Sequence, residues 1–507
     1  MILFGNSLHF DRRRFLICGH LHCKSQVFLL FSHKIKLFKY DNIIFILYCK
    51  RILRCFKMSA DSDVEADIIE NVAEVMEGLS KDLKDLYAFR DLFFENHPIE
   101  LATEKNKFVE EKKDVLVEKF ESIDDTQIPF SLRAQFLFMK GRCYNISPTY
   151  DARASQCLSK AVKLNPHLVD AWNELGECYW KNMNIKDAKA SFEGALKHER
   201  NRLSLRCLSI ILRQESGSNK RGDLTNVILK SVELAKEAVA QDIKDGVSWT
   251  VLGNAYLCQF FMVSQDPAIL KLCMSAYKQA WLDPIAKGQP DLYYNKGIAL
   301  KYEESYSEAL ENFEYACRLD PPWQPPRAEL NKLKTYLTAT DDLVRTRGKI
   351  KPKRLAHMVQ SIDKKMLGVY SPGSLNTFGS RRDVTLELVR LDELQEGANE
   401  GKVILGRVVG SIHNESAVPF TFALVDASLQ CVLVTVYNWA DGRGAIIGDA
   451  VALPEPRLAA QRHDSPLAKY NFKSIRVNNP MLLLLNGKRV GRNQFACTRV
   501  TSTYEIH

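Results

Sequence analysis

One spacing narrows the folds open to this chain more than any other feature. Trp172, Leu175, Gly176 and Tyr179 stand at three- and four-residue steps, and Ala188, Phe192 and Ala195 follow in the same rhythm. Steps of this size place each set on one face of a helix. Two consecutive helices with facing apolar sets make a hairpin, and Gly176 and Ala188 are small where the two must come closest. One hairpin cannot bury both of its apolar faces, so it requires neighbours of the same kind.

The neighbours are present. Trp249, Leu252, Gly253 and Tyr256 repeat the first-helix code, and Cys273, Tyr277 and Ala280 repeat the second after an insertion around Gln259–Pro267. The late arrival predicts that the insertion bulges from the hairpin turn. Gly297, Ala309, Phe313, Ala316 and Pro321 form another unit, and Gly141, Tyr144, Ala154, Ala161 and Pro166 an earlier one. A degenerate unit lies between about Asn201 and Lys244, with a polar loop at Glu215–Gly222. This is the tetratricopeptide signature, and an array of such repeats is a docking surface rather than a catalytic scaffold.

The net charge of +9 hints at nucleic acid, but residues 1–57 hold eleven Lys or Arg against two Asp, so the rest of the chain is neutral. No whole-molecule attraction to phosphate follows. Residues 1–57 show no sustained period, and Met58-Ser59-Ala60-Asp61 reads as an ordinary start. Residues 1–57 are therefore expected to be a non-native or disordered leader, with a transit peptide as the alternative. The longest apolar run, Ile43–Cys49, is far short of the roughly 20 residues a membrane span needs.

Of thirteen Cys, four (Cys18, Cys23, Cys49, Cys55) fall in that leader, where Cys18, His20, His22 and Cys23 form half a metal site without a second half. Cys178, Cys273 and Cys317 lie within repeat helices, as small core residues of a reduced intracellular protein would. There is no phosphate-cradling glycine loop, nucleophile elbow or zinc-binding His-Glu pair. His167, His198, His357, His413 and His463 are isolated in sequence. The expectation is a non-enzyme with no cofactor and no metal, in cytoplasm and nucleus, with no membrane partner.

The predicted organisation is multidomain, α then β. Residues 62–366 read as a tetratricopeptide solenoid with helical caps, the first built on Leu79, Leu83, Leu86, Phe89, Phe108, Val115 and Phe120. Near its end, Arg345, Arg347, Lys349, Lys351, Lys353 and Arg354 form a basic run, most simply a solvated linker, with a nuclear-localisation signal or a nucleic-acid contact as the alternative. Residues 367–383 read as an interdomain linker. From 384 to 490, short strands at steps of about ten residues suggest a small barrel of the oligonucleotide/oligosaccharide-binding (OB) type, with Gly406 permitting the bend that closure needs. Residues 491–507 read as tail. Tyr437, Trp439, Tyr470 and Phe472, with Arg443, Arg457 and Arg462, could stack bases, although about half of these aromatics should fill the core.

In such a solenoid the first helix of each hairpin lines the groove, so its polar positions are the binding candidates. They are Asn173, Glu177 and Trp180, then Asn254, then Asp291, Tyr294 and Asn295, with Arg213 in the degenerate unit. The mixture of acid, base, amide and aromatic suits an extended peptide carrying both charges. Phe138 and Arg142 stand where a carboxylate clamp would place Lys and Asn.

The order of cap, irregular repeats and barrel resembles the tetratricopeptide repeat protein 5 family. The strings Ser159-Lys160-Ala161-Val162-Lys163-Leu164, Ala171-Trp172-Asn173, Lys301-Tyr302-Glu303-Glu304-Ser305-Tyr306, Val403-Ile404-Leu405-Gly406 and Pro419-Phe420-Thr421-Phe422 carry the resemblance, as does the leucine run Leu482–Leu485 before Asn486-Gly487-Lys488. The resemblance implies an adaptor that reads the first residues of nascent tubulin at the ribosome and recruits an mRNA-decay adaptor and a deadenylase complex, so that tubulin mRNA decays. It implies, alternatively, a nuclear stress-responsive transcription cofactor working with a histone acetyltransferase complex. By the same resemblance Asp291 would take the peptide Arg, Arg213 would be a groove base, and Lys160 and Lys163 would contact the ribosome. A second acidic groove residue of the family falls at Pro325 here.

Overall fold

The computed structural model describes residues 60–215, 221–378, 381–412, 419–440 and 444–491. The chain divides into two compact units, Met1–Ser80 and Lys81–His507. The described part of the first is the opening of helix α1 (Ala60–Asp91); the second holds every other element. The Cys18–Cys23 cluster, residues 216–220 of the polar loop, His413 and Arg443 lie outside the described residues.

After α2 (Lys105–Glu121), five helical hairpins follow among the described residues. They are α3 (Phe130–Tyr144) with α4 (Ala152–Leu164), α5 (Val169–Lys181) with α6 (Ile185–His198), α7 (Arg202–Glu215) with α8 (Arg221–Gln241), α9 (Gly246–Gln259) with α10 (Pro267–Ala280), and α11 (Pro290–Tyr302) with α12 (Tyr306–Leu319). Short side chains start several of them: Asp151, Asn184 and Asp266 each accept a backbone N–H of the first turn. In α2, Val109, Leu116, Val117 and Phe120 are buried, whereas Val115, expected on the inner face, points to solvent.

The glycines show why the signature exists. A Cβ on Gly176 would lie 2.7 Å from the Phe192 ring, and one on Gly297 would lie 2.7 Å from Phe313. Gly141 stands in the same relation to Leu158, and Gly253 to Tyr277. These four hairpins thus close with a large side chain of the second helix lying on bare backbone of the first.

The insertion does not bulge. Helix α9 runs on through a π turn, Phe260–Ser264, and the chain reverses at Gln265, whose φ is +51°. Phe260 and Phe261 are buried, with ring centroids 4.9 and 5.5 Å from that of Tyr302. Apolar residues in a hairpin turn are drawn inward when a neighbouring surface offers burial. Here Tyr302 offers it, and Tyr302 in turn meets Tyr437 of the barrel at 4.9 Å.

Helices α13 (Gln324–Arg345) and α14 (Pro352–Gln360) end the helical region. The segment read as a linker is folded: Leu367 and Tyr370, in the 3₁₀ stretch Lys364–Tyr370, are buried against the barrel. Strands β1 (Asn376–Phe378) and β2 (Arg381–Val384) then pair as a small antiparallel ribbon. Its polar composition marks turns but conceals those two apolar anchors.

Ten strands form one curled sheet: β3 (Glu387–Leu388), β4 (Gly397–Ala398), β5 (Lys402–Ile412), β6 (Phe420–Val425), β7 (Cys431–Val436), β8 (Ala450–Pro454), β9 (Arg457–Asp464), β10 (Lys469–Val477), β11 (Leu484–Leu485) and β12 (Lys488–Arg489). Strands β5, β6 and β7 form a meander, β7 pairs parallel with β10, β10 pairs with β9, and β8 returns to β5. Only Glu455 and Pro456 separate β8 from β9, so this bent stretch joins the two sides of the sheet as the fourth strand of an OB barrel does. Strand β5 changes partner from β8 to β6 around Gly406 and Arg407, and a Cβ on Gly406 would lie 2.7 Å from the Val425 carbonyl.

The barrel is docked on the solenoid through a buried polar latch. The Glu304 carboxylate accepts the hydroxyls of Thr435 (2.7 Å) and Tyr437 (3.0 Å), and Arg476 lies 3.9 Å away. Arg476 also donates to the Tyr302 carbonyl and stacks 3.9 Å from the Tyr437 ring centre. Tyr336 of α13 bonds Thr421 at 3.0 Å, and Asp341 accepts the Asn471 N–H at 2.8 Å.

Phe192→Ala should destabilise the chain by about 3–5 kcal/mol through the cavity it opens. Gly176→Val should cost about 1–3 kcal/mol by overpacking the same contact. Thermal denaturation followed by circular dichroism checks both, and an unchanged midpoint in either would contradict the closure described.

Candidate functional site

Polar side chains from five consecutive helices meet around Arg213. Its Nη1 donates to the hydroxyls of Ser209 (2.7 Å) on the same helix and Ser231 (2.9 Å) on α8. Ser209 also bonds Ser231, so the two hydroxyls form a fixed seat for the guanidinium. From α9, Asn254 accepts the Tyr277 hydroxyl at 2.8 Å and stands beside the Asp291 carboxylate, whose ionised form it favours. Asp291 sits in the first turn of α11, where Pro290 starts the helix and the backbone N–H of Leu292 faces the carboxylate. Such a helix start favours an anion.

Burial nonetheless dominates, raising the Asp291 carboxyl to about 6, against the lowering influence of Leu292, Asn254 and Arg213. Burial likewise lowers Arg213, opposed by Cys258, Tyr277 and Asp291. Each of the two residues therefore feels the charge of the other. A base seated on two hydroxyls, with an acid within reach of its field, can receive a ligand that carries the opposite pair.

The other groove candidates serve differently. Asn173 is buried and its amide joins two repeats: Nδ2 donates to Asn201 at 3.2 Å and Oδ1 accepts the Ser204 hydroxyl. Glu177 is half-exposed and pairs with Lys181 at 3.1 Å. Trp180 sets its edge to Phe192, with centroids 6.3 Å apart. Tyr294 is buried between Phe313 and Trp323, and Asn295 is buried one position along. The structure thus gathers Arg213, Asn254 and Asp291, leaves Asn173, Glu177 and Trp180 on α5, and places Tyr294 and Asn295 in the packing of α11. Lys160 and Lys163 are exposed on α4.

Two features escape a reading by signature position. Tyr277 occupies the second-helix aromatic position, so it reads as core; its ring is core, but its hydroxyl enters the polar pocket. The second is a buried acid in an earlier repeat. Glu174 lies 3.0 Å from Arg142 and accepts from Asn145 at 2.9 Å. Burial, with the charge of Glu177, raises Glu174 to about 6. Arg90 and Arg142 stack on the Tyr87 ring at 4.5 and 4.2 Å. Glu174 sits between the signature positions, so periodicity alone gives no sign of it.

The barrel's aromatics do not form a stacking platform. Tyr437, Trp439, Tyr470 and Phe472 are all buried. Trp439 belongs to the barrel core, and Tyr470 and Phe472 join the core of the last repeats. Helix α13 covers the face of β6, β7 and β10 from which they would act. Among the described residues, no cluster of three or more His, Cys, Asp or Glu could hold a metal ion, and no helix is long and apolar enough to cross a membrane.

Comparison with known proteins now bears on this geometry. Residues 385–499 match the model of the tetratricopeptide repeat protein 5 OB fold domain, and residues 169–201 match the tetratricopeptide repeat. Tetratricopeptide repeat protein 5 of Homo sapiens is 42% identical over 438 residues, covering 86% of this chain and 98% of that protein. Its counterpart in Mus musculus is 41% identical over 446 residues, covering 88% and 99%. The chain belongs to the tetratricopeptide repeat protein 5 family. Its helical solenoid and OB barrel are those expected of the family, and membership supports a protein-binding adaptor role.

Tyr277→Phe should leave the fold intact but cost roughly 1–3 kcal/mol, because the buried Asn254 oxygen loses its donor. Urea denaturation of the two proteins measures this; equal midpoints would show that the hydroxyl is not needed to hold the pocket.

Proposed function

We propose that the pocket around Arg213, Asn254 and Asp291 reads the N-terminal peptide of nascent tubulin, Met-Arg-Glu and an apolar residue, as it leaves the ribosome. The protein then recruits an mRNA-decay adaptor and a deadenylase complex, and tubulin mRNA decays. The observation that supports this reading most is a buried base and a half-buried acid close enough for each to feel the other's charge. A peptide with Arg beside Glu carries the matching pair, and charge-assisted hydrogen bonds in a desolvated site fix its register. Lys160 and Lys163, exposed on α4, would meet rRNA phosphate. The alternative, a nuclear cofactor scaffolding a histone acetyltransferase complex, asks for a barrel able to engage partners through its sheet, and helix α13 closes that face.

Binding of a labelled Met-Arg-Glu-Ile peptide to the full chain tests the pocket. Asp291→Asn and Arg213→Ala should each weaken binding by about tenfold or more, as expected when one partner of a buried charge pair is lost. The pH dependence has a definite sign. Because the free-protein Asp291 carboxyl titrates near 6, above its unfolded value, ionising it between about pH 4 and 6 destabilises the unliganded fold. A peptide Arg favours the ionised form, so affinity should rise from pH 5 to pH 7 with release of a proton. Asp291→Asn should flatten that rise, and a flat profile in the unaltered chain would reject this role for Asp291.

Lys160→Glu with Lys163→Glu should abolish co-sedimentation with ribosomes while leaving peptide affinity unchanged. Joint loss of both activities would show that the pair supports the fold instead.

A further inference from the structure

The stretch Arg345–Lys365 carries eight Lys or Arg and one acid, Asp363, within a body that is neutral as a whole. Its sequence reads as a solvated linker, but the structure folds it onto the barrel. It leaves α13 at Gly348, whose φ of +67° sets the backbone against the Val409 carbonyl, where a Cβ would collide. Ile350, Leu355 and Met358 then pack with Val409. Arg407 reaches out from β5 to donate to the Ser361 carbonyl at 2.6 Å. Further on, Leu367 and Tyr370 pack with Leu405 and Val403.

The order is informative. Residues 403, 405, 407 and 409 alternate with Ile404 and Val408, which face the barrel core. The segment therefore runs along the outer face of β5, antiparallel to it, with its apolar side chains inward. Its cations all face outward: Arg345, Arg347, Lys349, Lys351, Lys353, Arg354, Lys364 and Lys365 are exposed. Asp342 pairs with Arg345 at 2.6 Å and Lys349 at 3.0 Å. The other six have no carboxylate partner among the described residues. Three arginines of the solenoid contrast with this, for Arg200, Arg202 and Arg206 are each paired with an acid.

A flexible linker would let these charges separate; a docked strap holds them together against their repulsion. That arrangement suits a ligand that is itself a continuous polyanion. Five of the eight are Lys, point charges that follow a phosphate chain without the forked geometry a single carboxylate favours. The exposed residues of α14 are Pro352, Lys353, Arg354, Ala356, His357 and Gln360, with no large apolar side chain to enter a bilayer.

We propose that this strap is a docking surface for the phosphate backbone of nucleic acid, engaged by charge on the outer side of β5. It does not use the aromatic face that α13 covers, and it is independent of what the groove binds.

The test is fluorescence anisotropy of the full chain with a short labelled RNA duplex between about 50 and 200 mM salt. A strap variant carries Lys353→Ala, Arg354→Ala, Lys364→Ala and Lys365→Ala. A control carries Lys197→Ala, Lys230→Ala, Lys271→Ala and Lys278→Ala, exposed lysines of the solenoid. The strap variant should bind about tenfold or more weakly, and its log–log salt slope should fall by roughly 3.6, the loss of about four phosphate contacts. The control should change little. A DNA duplex of the same length should bind comparably, since no base or sugar contact is invoked. Lys353→Gln with Lys364→Gln should show about half the change in slope, and serves if the fourfold variant folds poorly. Equal binding by strap variant and unaltered chain, or equal losses in strap and control, would overturn the proposal. So would a strap-dependent attachment to phosphatidylserine vesicles with no attachment to either duplex.

Discussion

Everything in this molecule depends on a glycine of one helix accepting a large side chain of the next. In four hairpins, Gly141, Gly176, Gly253 and Gly297 meet Leu158, Phe192, Tyr277 and Phe313. The contact brings the helices close enough to bury both apolar faces, and it fixes how the first helix is turned about its axis. That rotation aims the remaining positions of the first helix into the groove. In the α9–α10 hairpin one contact does two jobs: the Tyr277 ring closes the hairpin on Gly253, and its hydroxyl holds Asn254, which stands beside Asp291. The charge pocket is thus an outgrowth of the packing rule.

The barrel extends the same logic. A solenoid needs its last repeat capped, because otherwise an apolar face remains exposed. Helix α13 and the barrel serve as the cap: Leu433, Tyr470 and Phe472 share a core with the final hairpins. Glu304 then fixes orientation, since a carboxylate buried this deeply is tolerable only with its hydroxyl donors and Arg476 in place. The insertion belongs to this joint. Phe260 and Phe261 support Tyr302, which lies beneath Tyr437 and Arg476.

The repeats were legible because their spacing is a packing rule written in residue types. The barrel was legible from its strand spacing, apart from β9, whose Arg457–Asp464 sequence is too polar to read as a strand and which pairs with β10 along its length. The insertion misled because Phe260 and Phe261 look like a turn by register, and register says nothing of the neighbour that buries them. The basic run misled for a related reason: Leu355 and Met358 are the only buried residues of α14, too few for a period. At the site, Arg213, Asn254 and Asp291 could be found by position. Asn173 could not be discounted, because the Ser204 hydroxyl that occupies it comes from another repeat.

Pro325, where the resemblance would place a second groove acid, lies in the first turn of α13, where proline suits the backbone but offers no charge. The next acid on that helix, Glu329, bonds Lys301 at 2.8 Å and Lys332 at 3.3 Å. Burial opposes its ionisation, but these two lysines hold its carboxyl below the usual range. It is already neutralised and is a poor receptor for a ligand cation. Asp291, with no lysine attached and a carboxyl poised near 6, is where a ligand Arg would gain most by driving ionisation. On the reading proposed above, recognition of a peptide Arg would therefore concentrate on this one carboxylate, and its stringency would depend on how firmly Tyr277 and Asn254 shape its surroundings.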